Sequence, residues 1–243
     1  MIPEDHPRYH SLVMREKIAD AAKTGIVAME GVGAHGRGEA FDYLIGERTT
    51  ESALLAEKIT AALFLSAKRP VISVNGNTAA LAPREIAELQ EATGAAVEVN
   101  LFHRTEERVE KITRLLEREG VDVLKGEFER LLPLSHDRAL CLREGIYSCD
   151  VILVPLEDGD RCSALAGMGK TVIAIDLNPL SRTAKSASLT IVDELTRALP
   201  NISKACRGLK DDEIKKLIRN IDNKYFLNSA VKEIMGTLTD AMD

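Results

Sequence analysis

The sequence predicts an α/β fold, a Rossmann-like three-layer arrangement in which helices cover both faces of a parallel sheet. Short β-branched runs alternate with segments of helical periodicity through the middle of the chain, which is the pattern of repeated βαβ units. The runs are apolar at almost every position, as strands buried on both faces are. We therefore expect a single domain over residues 1–243, with its core at about 68–200 and a C-terminal helical tail at about 209–243.

N-terminal helices are expected before this core. The first runs from about Arg8 to Lys23, is entered through Pro7 and stops near Gly25. A short helix is expected over 39–45, directly after a glycine-flanked arginine. A third begins at Thr50, a good N-cap residue, and runs to about residue 67. Because this third helix is apolar on most faces, we expect it to be buried in the fold or in a dimer interface.

The core elements follow from the same two periodicities. Strands are predicted at 71–74, 96–99, 121–124, 151–155, 171–175 and 189–192. Helices are predicted between them at 79–93, 105–118, 137–146 and 160–167. Two amphipathic helices should end the chain, because two groups of apolar residues each share one helical face: Ile214, Leu217, Ile218 and Ile221, then Val231, Ile234 and Leu238.

Composition and charge exclude several classes of protein. The net charge of −6 and the pI of about 5.5 argue against a nucleic-acid binder, which usually carries a basic surplus. No apolar stretch approaches the roughly 18 residues of a membrane span, and the segment Met1–His6 lacks a signal-peptide core. The four cysteines form no C-x-x-C pair, so free thiols are expected rather than zinc ligands. We expect a cytoplasmic enzyme with no nucleic-acid or membrane partner.

A glycine-flanked arginine precedes the expected helix at 39–45. The segment His35–Glu39 places Arg37 between two glycines. The N-terminus of a helix offers unpaired backbone N–H groups to an anion, and a guanidinium can grip phosphate by two parallel hydrogen bonds. The segment therefore suggests a phosphate site, although an ordinary surface turn with an exposed arginine fits the spacing equally well.

Polar clusters also follow two of the predicted strands. Asn75, Gly76, Asn77 and Thr78 come after strand 71–74; their amides can hold hydroxyl or carboxylate groups, and ordinary capping of the next helix is the alternative. Strand 171–175 is followed by a dense polar loop with Asp176, Leu177, Asn178, Arg182 and Thr183. An acidic residue at this place commonly binds ribose hydroxyls in dinucleotide folds, and a solvated loop is the alternative.

A third cluster, Glu157–Asp160, follows strand 151–155 and holds three carboxylates in four residues. Mg²⁺ is usually held by one or two carboxylates together with substrate phosphates, so Asp158 or Asp160 is a candidate ligand. Capping of the helix at 160–167 explains the same residues without a metal. His103 and Arg104 follow strand 96–99 and carry a weaker signal of the same kind.

Five blocks together resemble the archaeal phosphopantothenate synthetases, also called 4-phosphopantoate–β-alanine ligases. The blocks span roughly residues 3 to 200 in order and at family-like spacing: His6–Tyr9, His35–Leu44, Val74–Leu81, Val154–Arg161 and Asp176–Ala184. The resemblance implies a Rossmann-like homodimer that joins 4-phosphopantoate to β-alanine for coenzyme A synthesis. ATP would form an acyl adenylate and pyrophosphate, and the amine of β-alanine would then displace AMP.

The resemblance and the chemistry together suggest roles for these residues. Arg15 and Arg37 are the candidates for the triphosphate, with Mg²⁺ bridging the phosphates, because cations must offset the repulsion between a carboxylate and ATP. The adenosine half is placed on Asp176, Leu177, Asn178, Arg182 and Thr183, with Asp193 and Glu194 nearby. The phosphopantoate is placed on residues 75–78, with its own phosphate near His35, His103 and Arg104. His35 is also a candidate base for the amine, although positioning alone could supply most of the rate.

Two other classes of protein remain as alternatives. A nicotinamide-dependent oxidoreductase would need G-x-G-x-x-G between a first strand and its helix, and the glycine pairs at 31–33 and 36–38 lack the third glycine. A non-catalytic nucleotide-sensing module could use the same fold and bind ATP without releasing pyrophosphate. An assay for AMP separates both from a ligase.

Overall fold

The computed structural model describes residues 2–240. Within them five parallel strands form the central sheet: β1 (Pro70–Val74), β2 (Ala96–Val99), β5 (Val151–Pro155), β6 (Thr171–Ile175) and β7 (Leu189–Ile191). Two short strands, β3 (Glu129–Arg130) and β4 (Leu140–Cys141), pair with each other in an antiparallel ribbon. The predicted α/β class and the parallel sheet are confirmed.

The helices lie before, between and after the strands. The first part of the chain holds α1 (Tyr9–Lys23), α2 (Met29–Ile45), α3 (Glu51–Ser66), α4 (Gly76–Leu81), α5 (Pro83–Thr93) and α6 (Glu106–Arg118). After them come α7 (Gly159–Gly167), α8 (Arg182–Ser186), α9 (Leu195–Gly208), α10 (Asp211–Leu217) and α11 (Asn223–Asp240). Thr50 accepts a hydrogen bond from the Ala53 N–H, so its predicted role as N-cap of α3 is confirmed.

The strand order places a ligand crevice between β1 and β5. The central sheet runs β2–β1–β5–β6–β7, which is a doubly wound order with its reversal point between β1 and β5. In such sheets ligands bind outside the carboxyl ends of the strands at this reversal point. Two of the polar clusters, at Asn75 and at Glu157, follow these two strands directly.

Alternate residues of the strands pack into two hydrophobic cores, one on each face of the sheet. Ile72, Ile173 and their neighbours pack under α3, α5 and α9 on one face. Val71 and Val172 point to the other face, where they pack with residues of α7 and of the segment before β5. The four cysteines are free and buried, as predicted. No helix within the described residues is both long and apolar enough to cross a membrane.

Several predicted elements are wrong in position or type. The helix predicted at 39–45 begins at Met29 instead, and the one predicted at 79–93 is two helices that break at Ala82 before Pro83. The strand predicted at 121–124 is reduced to one bridge between Val97 and Val123. The helix predicted at 137–146 is a 3₁₀ turn, strand β4 and a π-helix. Helix α9 was not predicted.

Glu98 explains why the segment before β5 is not an α-helix. Its buried carboxylate accepts hydrogen bonds from the backbone N–H groups of Leu142, at 2.9 Å, and Ile146, at 2.7 Å. Gly145 lies in a non-helical conformation beside this carboxylate, and a Cβ there would come within 2.0 Å of Glu98 Oε2. A long-range contact thus determines the local backbone, which local periodicity does not predict.

Candidate active site

A cavity of about 910 Å³ lies at the carboxyl end of the sheet. Its floor is formed by the loops after β1, β5 and β6, and α1 and α2 close it from the side. These segments are far apart in the sequence, but parallel strands bring their carboxyl ends to one edge. The cavity therefore gathers most of the residues that the sequence singled out.

Asn75 and Asn77 fix the floor at the reversal point. The Asn75 side chain donates to the carbonyl oxygens of Pro155 and Leu156, both at 3.0 Å, and thereby ties the end of β1 to the end of β5. Its Oδ1 accepts from the N–H of Thr78, so it also caps α4. Asn77 donates to the carbonyl oxygen of Gly31 at 2.7 Å. Asn75 and Asn77 line the cavity, whereas the Thr78 side chain is fully buried below it.

Helix α2 forms one wall of the cavity, and it carries His35 and Arg37 in its interior. The expectation that Arg37 precedes a helix N-terminus is therefore wrong, since the helix has begun two turns earlier. Gly31 permits the close approach of α2 to the floor, because a Cβ at this position would come within 2.3 Å of Asn77 Oδ1. Tertiary packing thus outweighs the low helix propensity of glycine.

The imidazole of His35 is held neutral near physiological pH. Burial lowers the pKa of His35, and its Nε2 meets no hydrogen-bond partner among the described residues. A buried nitrogen without a partner is costly, so a bound ligand is the natural candidate to satisfy it. Arg37 is exposed on the same helix and lies close enough to Asp176 to lower the pKa of that carboxyl against the effect of its burial.

The loop after β6 forms one end of the cavity, the end at which the sequence predicts a nucleotide. Asp176 accepts hydrogen bonds from the N–H of Asn178, at 2.9 Å, and from the hydroxyl of Ser181. Burial raises the pKa of Asp176, which these bonds and Arg37 oppose. Thr183 donates to the carbonyl oxygen of Glu157 at 2.7 Å and so joins this loop to the end of β5.

Other predicted residues at this end differ in their exposure to the cavity. Leu177, Asn178 and Glu194 line it, whereas Asp193 and Arg182 do not. Burial would raise the pKa of Glu194, but hydrogen bonds from His10 and Thr196 hold that pKa below its usual range. Glu194 therefore presents an ionised carboxylate to the cavity.

If Asp176 binds ribose, as the sequence predicts, Asp176→Ala is expected to raise the KM for ATP. A hydrogen bond to an ionised group contributes about 1.5–3 kcal/mol, so the KM should rise by about tenfold or more, while the KM for the acid substrate changes little. Ser181→Ala is the matched control, because it removes the loop bond to Asp176 and keeps the carboxylate. Steady-state kinetics with each substrate varied in turn measures the effect, and a change confined to β-alanine would contradict the assignment.

A basic region forms the opposite end of the cavity. Arg108 and Arg138 line it, and neither was among the predicted site residues. Arg108 is held by the carbonyl oxygens of Ile26, at 3.1 Å, and His103, at 2.8 Å, and no acidic side chain bonds to it among the described residues. Burial lowers the pKa of Arg108, and the nearby Arg138 lowers it further. Two neighbouring guanidinium groups in a concave site favour an anion between them.

Of His103 and Arg104, the two residues after β2 that the sequence predicts near the phosphate of the acid substrate, only one lines the cavity. His103 lines this basic end, whereas Arg104 stacks on the ring of Phe128, with its Cζ 3.7 Å from the ring centroid, and does not line the cavity. Gly76 allows the backbone at the start of α4 to lie close to the Arg108 side chain, because a Cβ at this position would come within 2.8 Å of Arg108 Nη2. The sequence signal for Arg108 is hidden because it belongs to the amphipathic helix α6.

The acidic cluster after β5 is largely paired with arginines. Glu157 is buried and forms ion pairs with Arg138 and with the fully buried Arg161. Asp158 faces the cavity and pairs with Arg138 at 3.2 Å. Asp160 lies outside the cavity and bonds to His136 at 2.7 Å. Of the two predicted ligands Asp158 alone lines the cavity, where it could join phosphate oxygens in holding a cation. No group of three or more potential metal ligands occurs within residues 2–240.

Two arginines of the N-terminal region share one carboxylate at the cavity rim. Glu39 pairs with Arg15 at 2.8 Å and with Arg8 at 3.0 Å. Arg8 lines the cavity, but Arg15 is exposed outside its lining. Arg15 thus remains a predicted triphosphate contact that would have to leave Glu39 to reach a ligand in the cavity.

The chain matches known proteins along almost its whole length. The sequence profile of the phosphopantothenate/pantothenate synthetase family matches residues 52–237. A 4-phosphopantoate–β-alanine ligase from Methanospirillum hungatei is 60% identical over 243 residues, which is 100% of both chains. Its counterpart from Methanosarcina mazei is 56% identical, covering 98% of this chain and 95% of the relative. A third, from Thermococcus kodakarensis, is 48% identical, covering 98% and 94%.

Proposed function

Since the chain belongs to the phosphopantothenate/pantothenate synthetase family, we propose that it is an ATP-dependent ligase that condenses 4-phosphopantoate with β-alanine. The products are 4′-phosphopantothenate, AMP and pyrophosphate, in a reaction that serves coenzyme A synthesis. The observation that carries the proposal is one cavity with a nucleotide-type loop at one end and an arginine pair at the other. The family match favours a ligase over an oxidoreductase or a nucleotide sensor.

The nucleotide occupies the end of the cavity formed by the loop after β6. Asp176 accepts from the ribose hydroxyls, as acidic residues at this place commonly do. Leu177, Asn178, Thr183 and Glu194 surround the adenosine. The triphosphate then points along α2, where Arg37 stabilises the charge that develops on the α-phosphate during attack.

The 4-phosphate of the acid substrate lies between Arg108 and Arg138. Both arginines donate to backbone carbonyl oxygens, so they are oriented before the ligand arrives. Arg138 is also paired with Glu157 and Asp158, so Arg108 supplies the positive charge that no carboxylate pairs with among the described residues. His103 borders the same end. This placement directs the carboxylate of phosphopantoate toward the middle of the cavity, past Asn75 and Asn77, where it meets the α-phosphate of ATP.

The residues at the middle of the cavity serve both half-reactions. The carboxylate attacks the α-phosphate, pyrophosphate leaves, and the amine of β-alanine then attacks the acyl carbon and displaces AMP. A neutral His35 can accept the proton that the amine loses, and holding the amine against an activated acyl group supplies much of the rate. Mg²⁺ would be held by Asp158 and phosphate oxygens, where it would withdraw charge from the phosphates as a Lewis acid.

A homodimer is part of the proposal. Helix α3 exposes three leucine side chains, Leu54, Leu55 and Leu65, and Leu54 has the largest exposed fraction at 54%. An apolar helix face of this kind suits burial against a second copy of the chain. Light scattering of the purified protein tests this arrangement independently of the reaction.

The assay for the reaction combines purified protein with ATP, Mg²⁺, 4-phosphopantoate and β-alanine and follows AMP and 4′-phosphopantothenate. We expect both products in equal amounts and no reaction when any substrate is left out. Replacing 4-phosphopantoate with pantoate should greatly reduce the rate, because the arginine pair then lacks its anion. Formation of ADP, or hydride transfer with a nicotinamide cofactor, would overturn the proposal.

A further inference from the structure

Glu57 of α3 is a buried carboxyl group with no donor. Its side chain is fully buried, and neither of its oxygens meets a hydrogen-bond donor within the described part of the chain. Its carboxyl lies within hydrogen-bonding reach of that of Asp193, in the segment between β7 and α9. An ionised carboxylate in this environment would be strongly destabilising.

Asp193, by contrast, accepts from four donor atoms, three of them at Oδ1 and one at Oδ2. Its oxygens accept from the hydroxyl of Thr49 at 2.6 Å, from Arg197 Nε at 2.9 Å and Nη2 at 2.7 Å, and from the N–H of Glu194 at 2.7 Å. Arg197 also donates to Asp42 from both of its terminal nitrogens. Two carboxylates, those of Asp42 and Asp193, therefore share the single positive charge of Arg197.

The other elements packed against α3 bring no spare positive charge to Glu57. On α9 the polar neighbours of Glu57 are Asn201 and Arg197, which act to lower its pKa but less strongly than burial and Asp193 raise it. On α10, Glu213 pairs with Lys58 at 3.1 Å, and on α11, Glu233 pairs with Arg48 at 2.7 Å. The Glu57 carboxyl thus faces the negative charge of Asp193 and has no cationic side chain bonded to it among the described residues, which favours the neutral acid.

We propose that Glu57 is protonated and donates a hydrogen bond to Asp193, and that this bond positions Glu194 and Arg197 at the nucleotide end of the cavity. Glu57 is then a positioning residue, since it touches neither substrate. The inference rests on the proposed function in one respect, that the ligand near Glu194 is ATP. The protonation of Glu57 depends only on the buried cluster of Glu57, Asp193 and Arg197 and not on the identity of the ligand.

The proton should persist through the physiological pH range and be lost in alkali. Burial, followed by the charge of Asp193, raises the pKa of Glu57 from 4.5 to about 9. Above this value an ionised Glu57 repels Asp193, and the segment that carries Glu194 and Arg197 loses its support. The KM for ATP should therefore rise in alkali, while the KM for 4-phosphopantoate, which binds at the far end, should stay nearly constant.

Glu57→Gln and Glu57→Met test the proposal. Glutamine keeps the shape and can donate to Asp193 but cannot ionise. In Glu57→Gln we expect a KM for ATP within about twofold of the wild-type value at neutral pH, with no alkaline rise attributable to position 57. Methionine fills the space without a donor, so the KM for ATP should be raised by about tenfold at every pH.

Thermal unfolding across pH provides a measurement that does not depend on activity. Because the pKa of Glu57 is higher in the folded than in the unfolded state, its contribution to stability is largest below pH 4.5 and is lost as the pH rises to about 9. The Tm of Glu57→Gln relative to wild type should therefore increase steadily over this range. This comparison stays informative if Glu57→Met fails to fold.

Two outcomes would overturn the proposal. One is a wild-type KM for ATP and a Tm difference from Glu57→Gln that are both flat with pH, which would mean that Glu57 holds no titrating proton. The other is an equal alkaline rise of the KM for ATP in wild type and Glu57→Gln. If wild type forms no AMP at all, the proposed function fails instead, and the Tm measurement still decides the state of Glu57.

Discussion

Arg37→Ala is expected to remove most of kcat/KM for the ligation, by about 100-fold to 1,000-fold, as the loss of one preorganised donor at a developing charge typically does. Arg37 projects from the α2 wall of the cavity and lies near Asp176, where the triphosphate of the nucleotide would pass. The effect should appear mainly in kcat, because the developing charge on the α-phosphate is greatest in the transition state.

The fold should survive this change, since Arg37 is exposed and no hydrogen bond to another side chain holds it among residues 2–240. Arg114→Ala is the matched control, because Arg114 is an exposed helix arginine that does not line the cavity and pairs with Glu110. Steady-state kinetics and thermal unfolding of both variants measure the difference. An unchanged rate in Arg37→Ala, with normal Tm, would remove Arg37 from the site.

Arg108→Gln is expected to raise the KM for 4-phosphopantoate by about 10-fold to 100-fold, the effect of losing a charged hydrogen-bond partner of about 1.5–3 kcal/mol. The KM for ATP should change little, because the nucleotide binds at the opposite end of the cavity. The preference for 4-phosphopantoate over pantoate should fall by a similar factor, since pantoate carries no phosphate for Arg108 to bind.

The ratio of kcat/KM for 4-phosphopantoate to that for pantoate distinguishes a role of Arg108 in phosphate binding from a role in supporting the fold. Arg108 also donates to the carbonyl oxygens of Ile26 and His103, so a purely structural loss would lower both values equally and leave the ratio unchanged. That result would contradict the role in phosphate binding. Arg108→Lys is the control, since it keeps a positive charge and should retain part of the preference.

The strands of the central sheet could be predicted closely because β-branched apolar runs are a local signal. The predicted strands at 96–99, 151–155 and 171–175 coincide with β2, β5 and β6. The helices were predicted less well where contacts between residues distant in the sequence determine where a helix begins or ends. Helix α2 extends through four glycines, of which Gly31 allows close packing on Asn77. Helix α9 accommodates Pro200 while its apolar face packs on α3 and α5.

The residues of the cavity were likewise predictable where they follow a strand and not predictable where tertiary packing brings them there. Asn75, Asp158 and Asp176 could be predicted to share one edge because each follows a parallel strand, and the structure places all three on the cavity. Arg108 and Arg138 could not, because α6 and the segment after β3 reach the cavity only through tertiary packing. The actual role of each residue stays a prediction that the variants above would test.

Exchange of labelled pyrophosphate into ATP tests the central claim most directly, because it requires ATP and the acid substrate to meet in one cavity and form an acyl adenylate. With wild-type protein and Mg²⁺, we predict exchange that depends on 4-phosphopantoate and needs no β-alanine. Pantoate should support much less exchange, and Arg37→Ala almost none. Exchange that appears without any acid substrate, or that never appears while ligation proceeds with ADP as the product, would contradict the account.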